Sequence, residues 1–167
     1  CYVNVIKPVS ATSISVSESE IVMSPGENRS VAIALVPNNT TETVSWSSDN
    51  TAVATVDPET GLITAQAIGS ANINILTESG RKGTIKVFVV GLSRSYVELQ
   101  QYTNLLLKLE VDGSGSSNFS VRWDVDNQNI ATVSNGRVTA KALGTTTVYA
   151  VVNGRRLSCV VKVVKIK

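Results

Sequence analysis

Oxygen-bearing side chains alternate at Asp124, Asp126 and Gln128, which is the spacing that begins a calcium-binding loop. A complete loop also needs glycine at its sixth position and glutamate at its twelfth, where this chain has Asn129 and Asn135. Because both requirements fail, the sequence predicts no calcium site here. We likewise predict no other metal site and no cofactor.

Histidine is absent from all 167 residues. Nucleophiles of the Ser-His-Asp and Cys-His kinds need a histidine base, and many zinc sites use histidine ligands. These classes of chemistry are therefore excluded within this chain, and we predict that it is not an enzyme.

Six residues in two loops are candidates for contacting a ligand. One loop, residues 112–118, is rich in glycine and serine, and the other follows the turn at Asn153 and Gly154. Loops often carry binding residues, although a solvated turn is the commoner role of such residues. The candidates are Asp112, Ser114, Ser116, Asn118, Arg155 and Arg156.

Charge is divided unevenly along the chain. Residues 8–91 carry four Lys or Arg against eight Asp or Glu, and residues 92–167 carry ten against five. A basic half attracts anionic polymers, but its Lys and Arg residues are not interleaved with aromatic residues in the sequence. We therefore favour a solvated surface and predict no nucleic-acid partner. Tyr96 and Tyr102 are candidates for stacking on a glycan, with core packing at an edge as the alternative.

The elements that must hold these residues occur twice. Residues 44–56 reappear as residues 121–133 at a constant offset of 77, each copy with a tryptophan at its third position. Both copies continue into matching residues, which are Gly61, Thr64, Ala65 and Gly69 in the first copy and Gly136, Thr139, Ala140 and Gly144 in the second. Self-similarity at this period predicts two tandem domains of one fold.

Domain 1 is predicted to span residues 8–91 and domain 2 residues 92–167. Short alternating apolar segments, with no helical periodicity, favour an all-β sandwich in each domain. The dipeptides Asn135-Gly136 and Asn153-Gly154 predict two-residue hairpin turns. The longest apolar runs fall far short of the roughly 18 residues that a membrane helix needs, so we predict no membrane insertion.

Trp46 and Trp123 are predicted to be paired core anchors of the two sandwiches. Each follows a valine by two residues and therefore shares the inward face of a strand with it. A large aromatic side chain on that face is expected at the centre of its domain.

The two cysteines, Cys1 and Cys159, occupy matching positions. Residues 1–7 repeat the alternation of residues 159–165, so we interpret them as the last strand of a preceding, truncated repeat or as a linker. A lipid-modified Cys1 is the alternative. Equivalent positions in end-to-end domains lie on the order of 50 Å apart, whereas a disulfide needs Cα atoms within about 7 Å. Both cysteines are therefore predicted to be buried thiols.

The repeated residues resemble the group 2 bacterial immunoglobulin-like domain. The first copy carries the resemblance at Trp46, Ser47, Ser48, Asp49, Asn50, Val53, Ala54, Thr55, Val56, Gly61, Ile63, Thr64, Ala65 and Gly69. The second carries it at Trp123, Ile130, Ala131, Thr132, Val133, Gly136, Val138, Thr139, Ala140 and Gly144. Cys159 looks like the small buried residue of that family's last strand. The chain departs from the family at Asp124 and Val125, where Ser-Ser is usual.

The resemblance implies two immunoglobulin-like β-sandwiches arranged end to end in a bacterial cell-surface or secreted protein. It implies a non-catalytic stalk or spacer with a role in cell adhesion, as in intimin-like and invasin-like adhesins. The alternative is a carbohydrate- or protein-binding module of a phage virion protein or of a secreted polysaccharide-degrading enzyme. The expected partners are a host-surface protein or glycan and neighbouring repeats of the same chain, and the isolated fragment is expected to be a monomer.

Overall fold

The structure is a computed structural model that describes residues 7–111 and 119–166. Every regular element in these two ranges is a β-strand, which confirms the predicted all-β class. No helix in the described residues is long and apolar enough to cross a membrane. The chain divides into two compact units, and the boundary lies between Val89 and Val90. The strand predicted for residues 1–7 lies almost wholly outside the described residues and stays a prediction.

Unit 1, which ends at Val89, is a sandwich of two sheets. The strands are β1 Ser13–Val16, β2 Glu20–Met23, β3 Asn28–Arg29, β4 Ile33–Val36, β5 Val44–Ser48, β6 Ala54–Val56, β7 Ile63–Ala65, β8 Gly69–Thr77 and β9 Lys82–Val89. A four-stranded sheet has the order β2-β9-β8-β5, and a three-stranded sheet has the order β3-β7-β6. Strand β1 pairs with β4. Apolar side chains from both sheets form one buried cluster.

Unit 2, which begins at Val90, repeats this topology. Its strands are β10 Gly91–Leu92, β11 Tyr96–Gln100, β12 Asn104–Leu106, β13 Leu109–Glu110, β14 Val121–Val125, β15 Ala131–Ser134, β16 Arg137–Ala140, β17 Gly144–Val152 and β18 Arg155–Val164. The sheets have the orders β11-β18-β17-β14 and β12-β16-β15, and β10 pairs with β13. The two sheets again enclose a single apolar cluster.

The long strands form because apolar and polar residues alternate along them. In β8, Ile73 and Ile75 are almost completely buried while Asn74 between them is exposed. In β17, Val148 and Ala150 are buried while Tyr149 is turned to the outer face. Burying one such aliphatic side chain contributes about 1.5–3 kcal/mol, so the alternation fixes which face of each strand points inward.

Two pairings in the described strands are parallel, and they occupy equivalent places. Strand β2 pairs with β9 from Glu20↔Lys86 to Met23↔Val89. Strand β11 pairs with β18 from Tyr96↔Val160 to Gln100↔Val164. In each unit, therefore, a strand near the start lies directly beside the last strand and runs in the same direction.

Both predicted Asn-Gly hairpin turns are confirmed. Asn135 and Gly136 have φ values of 48° and 81°, and Asn153 and Gly154 have values of 47° and 78°. Two consecutive residues with positive φ define a type I′ turn, which matches the twist of the strands it joins. The second turn fixes the long β17–β18 register that ends at Val152↔Arg155.

Candidate functional site

The two tryptophans occupy equivalent positions but differ in burial. Trp46 is 7% exposed and belongs to the core cluster of unit 1. Trp123 is only partly buried and packs against the core cluster of unit 2. Each indole ring lies against a glycine: a Cβ added to Gly61 would lie 2.5 Å from Cε2 of Trp46, and one added to Gly136 would lie 3.0 Å from Cζ2 of Trp123. Both glycines have positive φ, so a side chain there would also strain the backbone.

The two units also differ at the edge of the sandwich that lies beside each tryptophan. In unit 1 the hydroxyl of Ser48 on β5 donates a 2.6 Å hydrogen bond to the carbonyl of Ala54 on β6. The equivalent residue of unit 2 is Val125, which has no hydroxyl to make this bridge. A cavity of about 170 Å³ lies at this edge of unit 2, lined by Trp123, Asp124, Val125, Gln128, Thr132 and Val133.

The side chains that imitate the start of a calcium loop are used for other contacts. Oδ1 of Asp124 accepts a 2.9 Å hydrogen bond from the backbone N–H of Val125. Oδ2 of Asp126 accepts a 2.8 Å hydrogen bond from the hydroxyl of Tyr149. Within residues 7–111 and 119–166 there is no group of three Asp, Glu, Cys or His side chains that could hold a metal ion.

Cys159 lies in the core of unit 2 with none of its surface exposed and with a free thiol. Burial raises the pKa of this thiol, and the positive charge of Arg94 opposes that rise. A thiol held in its neutral form is a poor nucleophile, so Cys159 acts as a small apolar side chain. Cys1 lies outside the described residues.

Of the six predicted ligand contacts, the structure describes Arg155 and Arg156. Both lie at the start of β18, where Arg155 is half-buried and Arg156 is exposed. The other four, Asp112, Ser114, Ser116 and Asn118, lie outside the described residues and stay predictions. Strand β14, which follows that loop, begins at Val121, and Val121 pairs with Val152 beside the Asn153-Gly154 tip. The topology thus places the start of β14 and the arginine pair at the same end of unit 2.

Arg156 stacks on an aromatic ring, a contact that the sequence did not reveal. Its guanidinium carbon lies 3.8 Å from the centroid of the Tyr149 ring. Arg122 on β14 faces the same side, because Arg122 and Arg156 pair with the same residue, Val151, from opposite sides. Arg122 lies 27 residues before Tyr149, and Arg156 lies seven residues after it, so the three do not form a continuous run of basic and aromatic residues. Pairing the strands outward from the Asn153-Gly154 turn would have found them.

The two candidate glycan-stacking tyrosines are both exposed, and neither packs in the core. Tyr96 on β11 is 51% exposed, and its backbone pairs with Val160 of β18. Tyr102 is 74% exposed and has a positive φ of 67° in the turn after β11. Tyr96 therefore shares the outer face of the four-stranded sheet with Arg156 and Tyr149.

Unit 1 carries different chemistry at the equivalent positions. The 77-, 75- and 74-residue offsets of the repeat place Ser45, Asn74 and Lys82 where unit 2 has Arg122, Tyr149 and Arg156. Ser45 and Asn74 are small and polar, so no aromatic ring lies at these positions beside Lys82. A cation–π contact of unit 1 lies farther along β9, where the Lys86 ammonium is 4.8 Å from the centre of the Phe88 ring. The arginine and tyrosine face is therefore a property of unit 2 alone.

The model of the bacterial Ig-like domain (group 2) family matches the chain twice, at residues 10–88 and at residues 89–162. A curated relative, an uncharacterized protein of Clostridium acetobutylicum, is 30% identical over 160 residues. The match covers 89% of this chain and 16% of the relative, so the chain spans about one-sixth of that protein's length.

Two solved structures share the fold at low sequence identity. Invasin, a bacterial integrin-binding protein, is 12% identical with a TM-score of 0.53, and the match covers 90% of this chain and 38% of invasin. The C-terminal 282-residue fragment of intimin, solved with the intimin-binding domain of its translocated receptor, is 16% identical with a TM-score of 0.50. That match covers 91% of this chain and 62% of the fragment.

These matches confirm the predicted resemblance and the tandem immunoglobulin-like fold. The two matched regions together span nearly all of the chain, and each carries the tryptophan and glycine positions on which the resemblance was based. The chain belongs to the group 2 bacterial immunoglobulin-like domain family.

Proposed function

We propose that this chain is a non-catalytic spacer segment of a larger bacterial cell-surface protein, where it holds a binding domain away from the envelope and transmits tension to it. The observation that carries the proposal is the parallel pairing of β2 with β9 and of β11 with β18. In each unit, a strand near the N-terminal end lies beside the C-terminal strand.

This arrangement resists a pull on the two ends of the chain. Tension pulls the N-terminal strand of each parallel pair (β2 or β11) and its C-terminal partner (β9 or β18) in opposite directions along their common axis. The hydrogen bonds between them lie across the direction of pull, so they are loaded together instead of being opened one after another. A spacer on a cell surface needs this property, because a bound target transmits force through every unit between it and the anchor.

We call the two parallel pairings, β2–β9 and β11–β18, the clamps, and the hydrogen bonds at their ends have good geometry. In unit 1 the N–H of Lys86 donates to the carbonyl of Ser19 at 2.8 Å. In unit 2 the N–H of Val160 donates to Ser95 at 2.9 Å, and the N–H of Gln101 donates to Val164 at 2.9 Å. These two bonds of unit 2 bracket the whole length of the β11–β18 pairing.

Stretching single molecules of the whole chain from its two ends tests the proposal. We expect two separate unfolding events, each lengthening the chain by roughly 250 Å, because about 75 residues extend at about 3.3–3.6 Å each. Gln101→Pro removes one clamp donor and should lower the force of one event. Gln101→Ala keeps the backbone N–H but loses the 2.8 Å side-chain hydrogen bond to the Lys141 carbonyl, so it should lower the force less than Gln101→Pro does. Gln100→Pro, whose lost N–H points away from β18, should leave the force unchanged.

Extension without discrete events would overturn the spacer proposal. So would a Gln101→Pro chain whose two events keep their original forces while Gln100→Pro weakens one of them. Either result would mean that the parallel pairing does not carry the load.

We place the parent protein outside the cell, on the surface or secreted, and propose a host-surface protein or glycan as the target of its binding domain. Family membership and the analogy of fold with invasin and intimin support this setting. An antibody against this segment that does not cross membranes should label intact cells. Labelling only after the cells are permeabilised would contradict the proposed location.

A further inference from the structure

We propose that the outer face of the four-stranded sheet of unit 2 binds an anionic polysaccharide. This basic face comprises Tyr96, Arg122, Tyr149, Arg156, Ser158 and Val160. It goes beyond the proposed spacer function, because a spacer needs no ligand of its own.

The two arginines are spaced to hold separate anionic groups. Arg122 and Arg156 are both exposed and lie on either side of Val151, two strands apart. Neighbouring strands are about 4.8 Å apart, so their Cα atoms are separated by about 10 Å. A planar guanidinium donates two parallel hydrogen bonds to a sulfate or carboxylate. A polymer with regularly spaced anionic groups can therefore engage both arginines at once.

Arg156 is held in place before any ligand arrives. Its guanidinium lies 3.8 Å from the centre of the Tyr149 ring, and the hydroxyl of Tyr149 is fixed by its 2.8 Å hydrogen bond to Asp126. Stacking lowers the conformational freedom that Arg156 would lose on binding. Among the described residues, no carboxylate forms an ion pair with Arg122 or Arg156, so both charges are available.

Carboxylates near the arginines reduce the positive potential of the basic face but do not reverse it. Asp126 is engaged by Tyr149, and Asp124 lies opposite Tyr149 on β14, where it accepts the Val125 N–H bond. Residues 92–167 still carry ten Lys or Arg against five Asp or Glu. The field around unit 2 therefore attracts polyanions.

The basic face continues along β18 as a track that suits an extended chain. Outward positions of this strand recur every second residue, so Arg156 and Lys162 lie about 20 Å apart. Between them are the Ser158 hydroxyl and, beside Val160, the half-exposed ring of Tyr96. A ring in this position can stack on the apolar side of a sugar. Lys162 is paired with Glu98 at 3.2 Å, so it contributes less charge than Arg156.

A polysaccharide fits this face better than an acidic protein segment does. Strands β17 and β18 are the inner strands of their sheet, so their backbone groups are already paired and no strand can be added to them. A protein segment would otherwise need a pocket for an apolar anchor. The basic face offers side-chain charges, a hydroxyl and a ring on a flat surface.

Calorimetric titration of the whole chain with four polymers tests the proposal. The polymers are dextran sulfate, polygalacturonate, neutral dextran and polyglutamate. We expect binding to one or both anionic polysaccharides, weakening as salt is added, and no binding to neutral dextran. Binding to dextran sulfate alone assigns the site to sulfated glycans, and binding to polygalacturonate alone assigns it to carboxylated glycans.

Variants locate the binding on the basic face. Arg122→Gln combined with Arg156→Gln should weaken binding by about tenfold or more, because two charge-assisted contacts are lost. Lys108→Gln combined with Lys141→Gln removes the same charge from exposed positions elsewhere in unit 2 and should change affinity by less than about twofold. Tyr96→Ala should weaken polysaccharide binding several-fold while leaving any weak binding of polyglutamate unchanged.

Several results would overturn the proposal. These are failure of every polymer to bind, equal loss of affinity in the arginine and lysine double variants, and binding of polyglutamate as tight as that of the polysaccharides with no effect of Tyr96→Ala. The last result would assign the face to acidic protein segments. Thermal unfolding of each variant excludes misfolding as the cause, and none of these results bears on the two-event unfolding expected of a spacer.

Discussion

Units 1 and 2 share a topology but differ at one sandwich edge and on one sheet face. Both have a four-stranded and a three-stranded sheet, a parallel clamp and a tryptophan set against a glycine. Unit 1 bridges its edge with the Ser48 hydroxyl and has Ser45, Asn74 and Lys82 at the equivalent outer positions. Unit 2 has Val125 at that edge and carries Arg122, Tyr149 and Arg156 outside. The shared positions determine the fold, so specialised function is to be sought where the copies diverge.

The divergence extends to charge. Residues 8–91 have a net charge of −4, and residues 92–167 have a net charge of +5. Opposite charge on two copies of one fold cannot be a requirement of that fold. It is therefore a further reason to assign ligand contact to unit 2 and not to unit 1, which serves as an internal control.

The largest expected difference concerns the two tryptophans. Trp46→Ala should destabilise unit 1 by roughly 3–5 kcal/mol, because removing the indole leaves a large cavity in the core. Trp123→Ala should cost about 1–2 kcal/mol less in unit 2, because Trp123 is already partly exposed and less apolar surface is lost. Urea unfolding followed by circular dichroism gives both values.

The tryptophan left in each variant reports on the other unit, because the chain has two tryptophans, one in each unit. Its fluorescence transition should be unchanged. Equal losses of unfolding free energy in Trp46→Ala and Trp123→Ala would show that the partial exposure of Trp123 does not reduce its contribution to stability. Trp46→Phe and Trp123→Phe, which keep most of the ring volume, are the matched controls and should each cost less than the corresponding alanine.

A smaller effect is expected at the sandwich edge. Ser48→Val should destabilise unit 1 by about 1–2 kcal/mol, because the carbonyl of fully buried Ala54 and the N–H of Asn50 each lose a hydrogen-bond partner. Val125→Ser should be nearly neutral in unit 2, since the lost apolar contact is offset by a new bridge across the edge. Ser47→Val, at an exposed position of the same strand, is the control and should change stability by less than about 0.5 kcal/mol.

A Ser48→Val chain as stable as the original would mean that the hydroxyl bridge does not hold the edge of unit 1 closed. The different burial of the two tryptophans would then need another cause. A Val125→Ser chain in which Trp123 fluorescence shifts toward that of a buried indole would support the bridge as the cause.

Features set by short-range patterns were predictable from the sequence. The short alternating apolar segments predicted the all-β class, and the two Asn-Gly pairs predicted the hairpin turns. These features depend on side chains a few residues apart, so a single pass along the chain contains the information. The duplication added the presence of two tandem domains of one fold.

Features that depend on register between distant strands were not predictable. The parallel pairing of Tyr96 with Val160 joins residues 64 positions apart, and nothing local to either strand encodes it. The stacking of Arg156 on Tyr149 lies within one hairpin and could be derived from the Asn153-Gly154 turn, whereas the placement of Arg122 beside them joins more distant strands. Of the candidates named from the sequence, Arg156 and Tyr96 lie on the basic face.

The smallest expected difference concerns the turn beneath each tryptophan. In unit 1 the carboxylate of Asp57 accepts hydrogen bonds from the backbone N–H of Thr60 at 2.7 Å, from its hydroxyl at 2.8 Å and from the N–H of Glu59 at 3.1 Å. The backbone N–H of Thr60 contributes most to lowering the pKa of Asp57 below its ordinary value of 3.8, followed by the Thr60 hydroxyl and the Glu59 N–H. In unit 2 the uncharged Asn135-Gly136 turn takes this place.

Acid should therefore weaken the turn of unit 1 and spare that of unit 2. Because the folded pKa lies below the unfolded one, the stabilisation by Asp57 is fully present above about pH 5. It is lost as the pH falls through 3.8 and then through the lowered folded value. Asp57→Asn should reduce this part of the acid sensitivity. Urea unfolding between about pH 6 and pH 2.5 in a Trp123→Phe background, where Trp46 alone reports, measures it.

Glu42 is a second carboxylate in unit 1 whose protonation would also destabilise the unit in acid. Partial desolvation would raise the pKa of Glu42, but hydrogen bonds from Ser79, together with weaker ones from Ser10 and Ala11, outweigh it and lower that pKa as well. A Glu42→Gln chain therefore separates the two carboxylates. If Asp57→Asn leaves the acid sensitivity of unit 1 intact and Glu42→Gln removes it, then the Ser79 contact, and not the turn beneath Trp46, makes unit 1 the more acid-sensitive copy.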